Sequence, residues 1–209
     1  MTYFRTDMSE TNISAQIKKR ITEGGTGKLY VISDFKEYLN DLLVAQVLSR
    51  LERGGFLLRI SQGIYLYPEM TRFGAVYPSL HEIATTIAKR DNATIIPSGP
   101  TASNQLGLST QVPMKAEYLT SGSPRVVKVD KRTINFKKCA PQYFLYKSQL
   151  MPLIVLSFKD FGEKNIDNEV LTRIREILHI SPEKELVKED LALAPLWIKQ
   201  ILIPIFKEI

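Results

Sequence analysis

With 209 residues, 44% of them hydrophobic, the chain is long and apolar enough for one large or two small packed cores, the profile of an ordinary globular protein. Lys and Arg outnumber Asp and Glu by 28 to 22, a formal net charge of +6 that admits a polyanionic partner without demanding one. The single cysteine, Cys139, excludes an intramolecular disulfide and fits a reducing cytoplasm, and residues 150–158 and 191–206, the most apolar stretches, are too short or too interrupted by Pro195, Lys199 and Pro204 to span a membrane.

Residues 1–9 carry Arg5 and Asp7 but no apolar run, so no secretory signal is expected there. From residue 9 to 22, Ile13, Ile17 and Ile21 recur every four positions, which predicts a helix with one apolar face, ended by Gly24 and Gly25. Ser33 is the expected N-cap of a short second helix, since Asp34 and Glu37 follow where the helix dipole favours acid. Asn40 and Asp41 interrupt it and can cap a third helix, whose buried stripe is Leu43, Val47, Leu48 and Leu51 and whose stop is Gly54 and Gly55. Residues 56–60 and 64–67 then read as two strands joined by Ser61, Gln62 and Gly63, with glycine available for a positive φ. Three helices followed by a hairpin is the order of a winged helix-turn-helix, in which the third helix enters the DNA major groove and the wing touches the backbone or minor groove. Opposite the apolar stripe the third helix offers Gln46, Ser49, Arg50 and Arg53, and the wing adds Arg59, Ser61 and Gln62. Gln can bond adenine and Arg guanine at two atoms each, whereas Arg53 near the helix end suits phosphate. The same pattern also fits a solvated helix face, or a winged helix used for protein assembly.

Pro68, Gly74 and Pro78 break the periodicity between residues 67 and 78, which places a linker there and divides the chain into domains 1–77 and 78–209. Beyond it, Leu80, Ile83, Ala84, Ile87 and Ala88 have helical spacing, residues 93–96 read as a strand, and a helix is expected over 99–106 with Ser98 as its cap. Residues 115–120, 126–129 and 133–137 read as further strands. The last two form the most basic element of the chain, with Arg125, Lys128, Lys131, Arg132, Lys137 and Lys138 against Asp130, and residues 78–147 hold 10 basic and 4 acidic side chains. Such a hairpin can contact phosphate, meet an acidic partner, or simply protect an edge strand from pairing. The C-terminal third shows helical spacing in Val170, Leu171, Ile174, Ile177 and Leu178, and later in Leu186, Leu191, Leu193, Leu196, Trp197, Ile201 and Ile205, with Trp197 read as core. The fold expected is α+β: an N-terminal winged helix-turn-helix followed by a mixed α/β domain with a helical C-terminal layer.

Two stretches carry a family resemblance. Gln46-Val-Leu-Ser-Arg-Leu-Glu-Arg-Gly-Gly55 with Arg59-Ile-Ser-Gln-Gly-Ile-Tyr-Leu-Tyr-Pro68, and then Pro97-Ser-Gly-Pro-Thr-Ala-Ser-Asn-Gln-Leu-Gly-Leu-Ser-Thr-Gln-Val-Pro113 with Tyr118-Leu-Thr-Ser-Gly122, resemble the AbiEi-like antitoxins of type IV toxin-antitoxin (abortive infection) systems. The likeness covers most of residues 10–145, and its second stretch is the more specific. It implies a winged helix that represses its own operon by binding double-stranded promoter or operator DNA, and a following domain that opposes a nucleotidyltransferase-like toxin; on this reading the operator is expected to hold repeated half-sites met by more than one copy.

Catalytic chemistry is not spelled out. The run Gly24-Gly-Thr-Gly-Lys28 has Thr22 where a phosphate loop needs its first glycine and Leu29 where it needs Ser or Thr, and it follows a helix rather than a strand. His81 and His179 lie far apart, and no Cys or His pair has zinc-ligand spacing. The expectation is a cytoplasmic DNA-binding protein without cofactor, metal or catalytic residues.

Overall fold

The computed structural model describes residues 10–38, 40–111 and 113–208. The reading of residues 1–9, including a helix start at Ser9, lies outside the described residues. The protein is α+β and folds as two compact units, Met1–Arg90 and Asp91–Ile209.

The first unit runs α1 (Glu10–Glu23), β1 (Leu29–Val31), a 3-10 segment (Ile32–Tyr38), α2 (Asp41–Arg53), β2 (Leu58–Ser61), β3 (Ile64–Leu66), β4 (Glu69–Thr71), β5 (Gly74–Val76) and α3 (Leu80–Arg90). Ile13, Ile17 and Ile21 are buried, as their spacing predicts, and cluster with Leu43, Val44, Val47 and Leu48 of α2 and with Tyr30, Leu57 and Tyr65 of the sheet and its approach. That sheet has the order β1-β3-β2 and is antiparallel throughout. Tyr30 pairs with Tyr65, so both rings reach the helices, while Val31, Ile64 and Leu66 alternate to the other face and are buried too. α3 packs against β1 with Leu80, Ile83, Ala84, Ile87 and Ala88 buried, giving that second face an apolar neighbour.

Three local expectations change here. Ser33 lies inside the 3-10 segment rather than ahead of a helix, and Asp34 Oδ2 accepts from the Val31 amide at 2.8 Å, closing a turn directly onto β1. The segment stays 3-10 with a kink at Phe35, which lets the Phe35 ring bury and stack on Tyr30 at 5.9 Å. β1 itself was not read from the sequence, because three residues beside a glycine-rich turn carry no usable alternation. Gly24 permits it: a Cβ there would sit 2.2 Å from the Tyr30 hydroxyl, which donates to Ile21 O at 3.2 Å. The expected linker holds the β4-β5 hairpin, and the two units part after Arg90, so α3 belongs with the first unit rather than with the residues that follow it.

The second unit contains β6 (Ile95–Pro97), α4 (Pro100–Gln105), β7 (Lys115–Thr120), β8 (Arg125–Val129), β9 (Arg132–Lys138), α5 (Leu150–Phe161), α6 (Asn168–Ile180), α7 (Lys184–Asp190) and α8 (Leu196–Glu208). The sheet order is β6-β7-β9-β8, parallel at β7-β9 and antiparallel at the other two joins. Ser98 is not the cap of α4; Gly99 holds that place at φ +55 with no side-chain bond. The stretch 97–113 mostly builds its own loop: Asn104 Nδ2 donates to Ser109 O at 3.1 Å and Gln111 O at 3.0 Å, and Thr101 Oγ1 accepts from the Glu117 amide at 2.8 Å.

α5 is buried on all sides from Met151 to Phe158, packed among Ala102 and Leu106 of α4, Ile174 and Leu178 of α6, Val187 of α7, and Ile198, Leu202 and Ile205 of α8. Trp197 is half-buried and stacks on Phe158 at 6.3 Å. A helix so enclosed cannot leave its first amides to water. Side chains near it take some of these and hold the chain leading in: Glu183 accepts from Leu150 N at 3.2 Å and from Gln149 N at 3.1 Å, and Asp190, just ahead of the helix, accepts from Lys147 N at 2.9 Å, Ser148 N at 2.8 Å and Ser148 Oγ at 2.7 Å. Ser148 Oγ in turn accepts from Met151 N at 3.1 Å. No helix among the described residues is long and apolar enough to cross a membrane.

Asp190→Ala should strand buried donors and cost about 3 kcal/mol of the second unit's stability, whereas Ser157→Ala, which removes a buried hydroxyl that has no hydrogen-bond partner among the described residues, should gain about 1 kcal/mol. Chemical denaturation of the full chain, followed by Trp197 fluorescence, checks the opposite signs.

Candidate nucleic-acid interface

α2 begins where its sequence says it should. Asn40 adopts a non-helical backbone and its Oδ1 accepts from Leu43 N at 3.0 Å. The buried stripe is Leu43, Val44, Val47 and Leu48, with Leu51 half-buried at its end; Val44 was missing from the expected stripe. The helix stops through Gly54 N to Arg50 O at 3.0 Å and Gly55 N to Glu52 O at 2.9 Å, with Gly55 at φ +74, a conformation that a side chain would strain. Phe56 N then donates to Leu51 O at 2.9 Å and turns the chain towards β2.

With that stripe fixed inward, Gln46, Arg50 and Arg53 are exposed and Ser49 is half-buried. Arg53 Nε reaches back to Ser49 O at 3.4 Å, laying its stem along the helix. Leu42 completes the outward line: at 79% exposure it stands one turn before Gln46, and positions 42, 46, 49 and 53 share one side of the helix. The sequence signal for Leu42 was available, an aliphatic residue out of phase with the buried stripe.

The β2-β3 hairpin turns at Gln62 and Gly63, the latter at φ +69 as its glycine suggests. Arg59 pairs with Tyr65 and so shares the helix-side face, yet it stays exposed because β2 is the sheet's edge. A bulge between Arg59 and Ser61 leaves Ser61 half-buried and Gln62 exposed at the tip. The Gln62 carbonyl accepts from the guanidinium of Arg90 at the end of α3. No local pattern could reveal a support 28 residues away. Nearby cations are engaged within the fold: Arg20 pairs with Glu37 and lies 5.2 Å from the Phe35 ring centroid, and Lys18 lies 4.9 Å from that of Phe56.

The basic hairpin β8-β9 distributes its charges over two faces. Arg125 faces the same way as Phe136, pairs with Asp91, and lies 5.4 Å from the Phe136 ring centroid. Lys128 and Lys137 take the opposite face, where Lys137 pairs with Glu117 at 2.7 Å. Arg132, paired with Val129, and Lys138, two positions beyond Phe136, share the face of Arg125, and Lys131 stands exposed beside Asp130, which turns at φ +52. Burial holds the Asp160 carboxyl above its ordinary pKa, and the Glu117 charge adds to the shift, so acid as well as base borders this face.

A cavity of about 610 Å³ beside α6 is lined in part by Gly107, Asp167, Val170, Arg173 and Glu176. Its polar groups serve the helix, since Asp167 Oδ1 accepts from Val170 N at 2.9 Å and Arg173 donates to Glu176 at 3.0 Å. Among the described residues no cluster of three or more His, Cys, Asp or Glu side chains is placed to hold a metal ion. His81 and His179 are both exposed.

A family profile described as a family of unknown function (DUF6088) matches residues 16–186, from within α1 to the first residues of α7 and across both units. The chain belongs to this family. No curated protein matches the sequence. The DUF6088 match includes α2, the β2-β3 hairpin and the basic hairpin, and ends before α8.

The placement of the exposed line depends on where α2 starts. Asn40→Ala should cost the first unit about 1 kcal/mol and loosen the first turn of α2. Hydrogen exchange at the Leu43 amide, faster in the variant than in the parent, is the readout.

Proposed function

We propose that the protein is a DNA-binding regulator in which α1, the 3-10 segment, α2 and the β2-β3 hairpin act as a winged helix, with α2 in the major groove and the hairpin as the wing. The observation that carries this reading is the outward line of Gln46, Arg50 and Arg53 on a helix whose opposite side is held by Leu43, Val44, Val47 and Leu48. An α-helix fits the major groove, where the amide of Gln46 matches an adenine edge and the guanidinium of Arg50 a guanine edge. Arg53, at the last turn, suits phosphate, and Arg59 with Gln62 brings the wing to the flanking backbone. The natural target is double-stranded DNA upstream of its own gene, occupied by more than one copy across repeated half-sites. In a gel shift with that DNA, the double variant Arg50→Ala, Arg53→Ala should bind about 10- to 100-fold more weakly and show a shallower salt dependence. Equal weak binding by parent and variant, with the same salt slope, would remove this assignment.

The proposal extends to an antitoxin role through the second unit, opposing a nucleotidyltransferase-like toxin. Its support is the likeness of the stretch 97–113 and of Tyr118 to Gly122 to the AbiEi-like antitoxins. The exposed Lys128, Lys131 and Lys138 are the side chains offered to phosphate or to an acidic partner surface. Co-expression with the product of the adjacent gene tests it: the full chain should restore growth, and failure to do so would confine the protein to DNA regulation.

A further inference from the structure

We infer that Leu42 reads thymine: its side chain, one turn of α2 before Gln46, contacts the 5-methyl group of one thymine in each half-site, close to the base that Gln46 meets. This rests on the DNA reading above.

Leu42 contributes almost nothing to the core, which its neighbours Leu43 and Val44 enter, and it keeps 79% of its surface exposed. It lies in the first turn of α2, and the N-terminal residues of a recognition helix are those that contact base edges. Helical geometry sets it in line with Gln46, Ser49 and Arg53, so a groove that receives Gln46 also receives Leu42. A leucine neither donates nor accepts a hydrogen bond. The C5-methyl of thymine is the largest apolar group that a major groove exposes, where cytosine has only a C5–H beside its amino donor. Leu42 therefore favours a T·A pair and leaves polar edges unpaired elsewhere. Together Leu42 and Gln46, an apolar contact followed one turn later by a bidentate amide, fit neighbouring A·T-rich steps.

The test uses the full chain and a duplex from upstream of its own gene, narrowed by footprinting, in which each thymine is replaced in turn by uracil so that only the methyl group is lost. One position per half-site should weaken binding by the parent about fourfold, the value of burying a single carbon. Leu42→Ala should bind the thymine duplex about fourfold more weakly, show no response to uracil at that position, and keep the parent's salt slope. Circular dichroism should be unchanged, since the side chain is exposed and alanine favours a helix. A parent indifferent to uracil at every position, a footprint without thymine, or a Leu42→Ala variant as sensitive as the parent would overturn the inference while leaving DNA binding intact. Absence of any specific binding by the parent would instead overturn the DNA reading, and this inference with it.

Discussion

The burial of four aliphatic side chains on α2 sets the geometry of the first unit. Leu43, Val44, Val47 and Leu48 meet the isoleucines of α1 and the Leu57 and Tyr65 side chains that lead into and line the hairpin sheet. Once they are inward the rotation of the helix is settled, and Leu42, Gln46, Arg50 and Arg53 have nowhere to go but outward. The same packing ties helix and hairpin together, because Tyr65 belongs to the cluster through β3. Rotating α2 by one residue would drive polar groups into an apolar cluster, a cost of several kcal/mol. Side chains on the outward face thus take their placement from a core they do not enter.

The hairpin shows a second way in which position is enforced. Short strands ending in a two-residue turn are intrinsically mobile, and a three-stranded sheet gains stability by being covered. Here the sheet buries Tyr30 and Tyr65 on one face and Val31, Ile64 and Leu66 on the other. Arg90 adds a bond to the carbonyl of Gln62 at the tip. A side chain at that tip is consequently presented from a braced loop, which lowers the entropy lost when it meets a ligand.

In the second unit the governing problem is electrostatic rather than steric. α5 is enclosed by apolar side chains, and the carboxylates of Glu183 and Asp190 take the backbone donors at its start and in the residues leading into it. Those acids join α7 to the beginning of α5 across about forty residues of chain, so the helical layer closes by satisfying backbone groups as well as by excluding water. The stretch 97–113 follows the same logic, with Asn104 and Thr101 spending their polar atoms on the backbone.

Local periodicity was enough to locate α1, α2, α3, α6 and the β2-β3 and β8-β9 hairpins, because each carries a run of apolar residues at its own period or a turn with a glycine or an aspartate. It also nominated Gln46, Arg50 and Arg53 as outward, since a helix with a strong apolar stripe has one opposite side. What the sequence could not decide were features whose cause lies far along the chain. β1 exists because β3 pairs with it, Arg90 reaches Gln62 because α3 returns to the sheet, and the start of α5 and the residues before it bond to Glu183 and Asp190, which come later in the chain. The two-sided distribution of the basic hairpin is also tertiary in origin: Asp91 and Glu117 come from outside it and claim Arg125 and Lys137 on opposite faces. Patterns within a dozen residues report which side of an element is apolar; which groups meet across the fold is set by the packing of elements, and that depends on all of them at once.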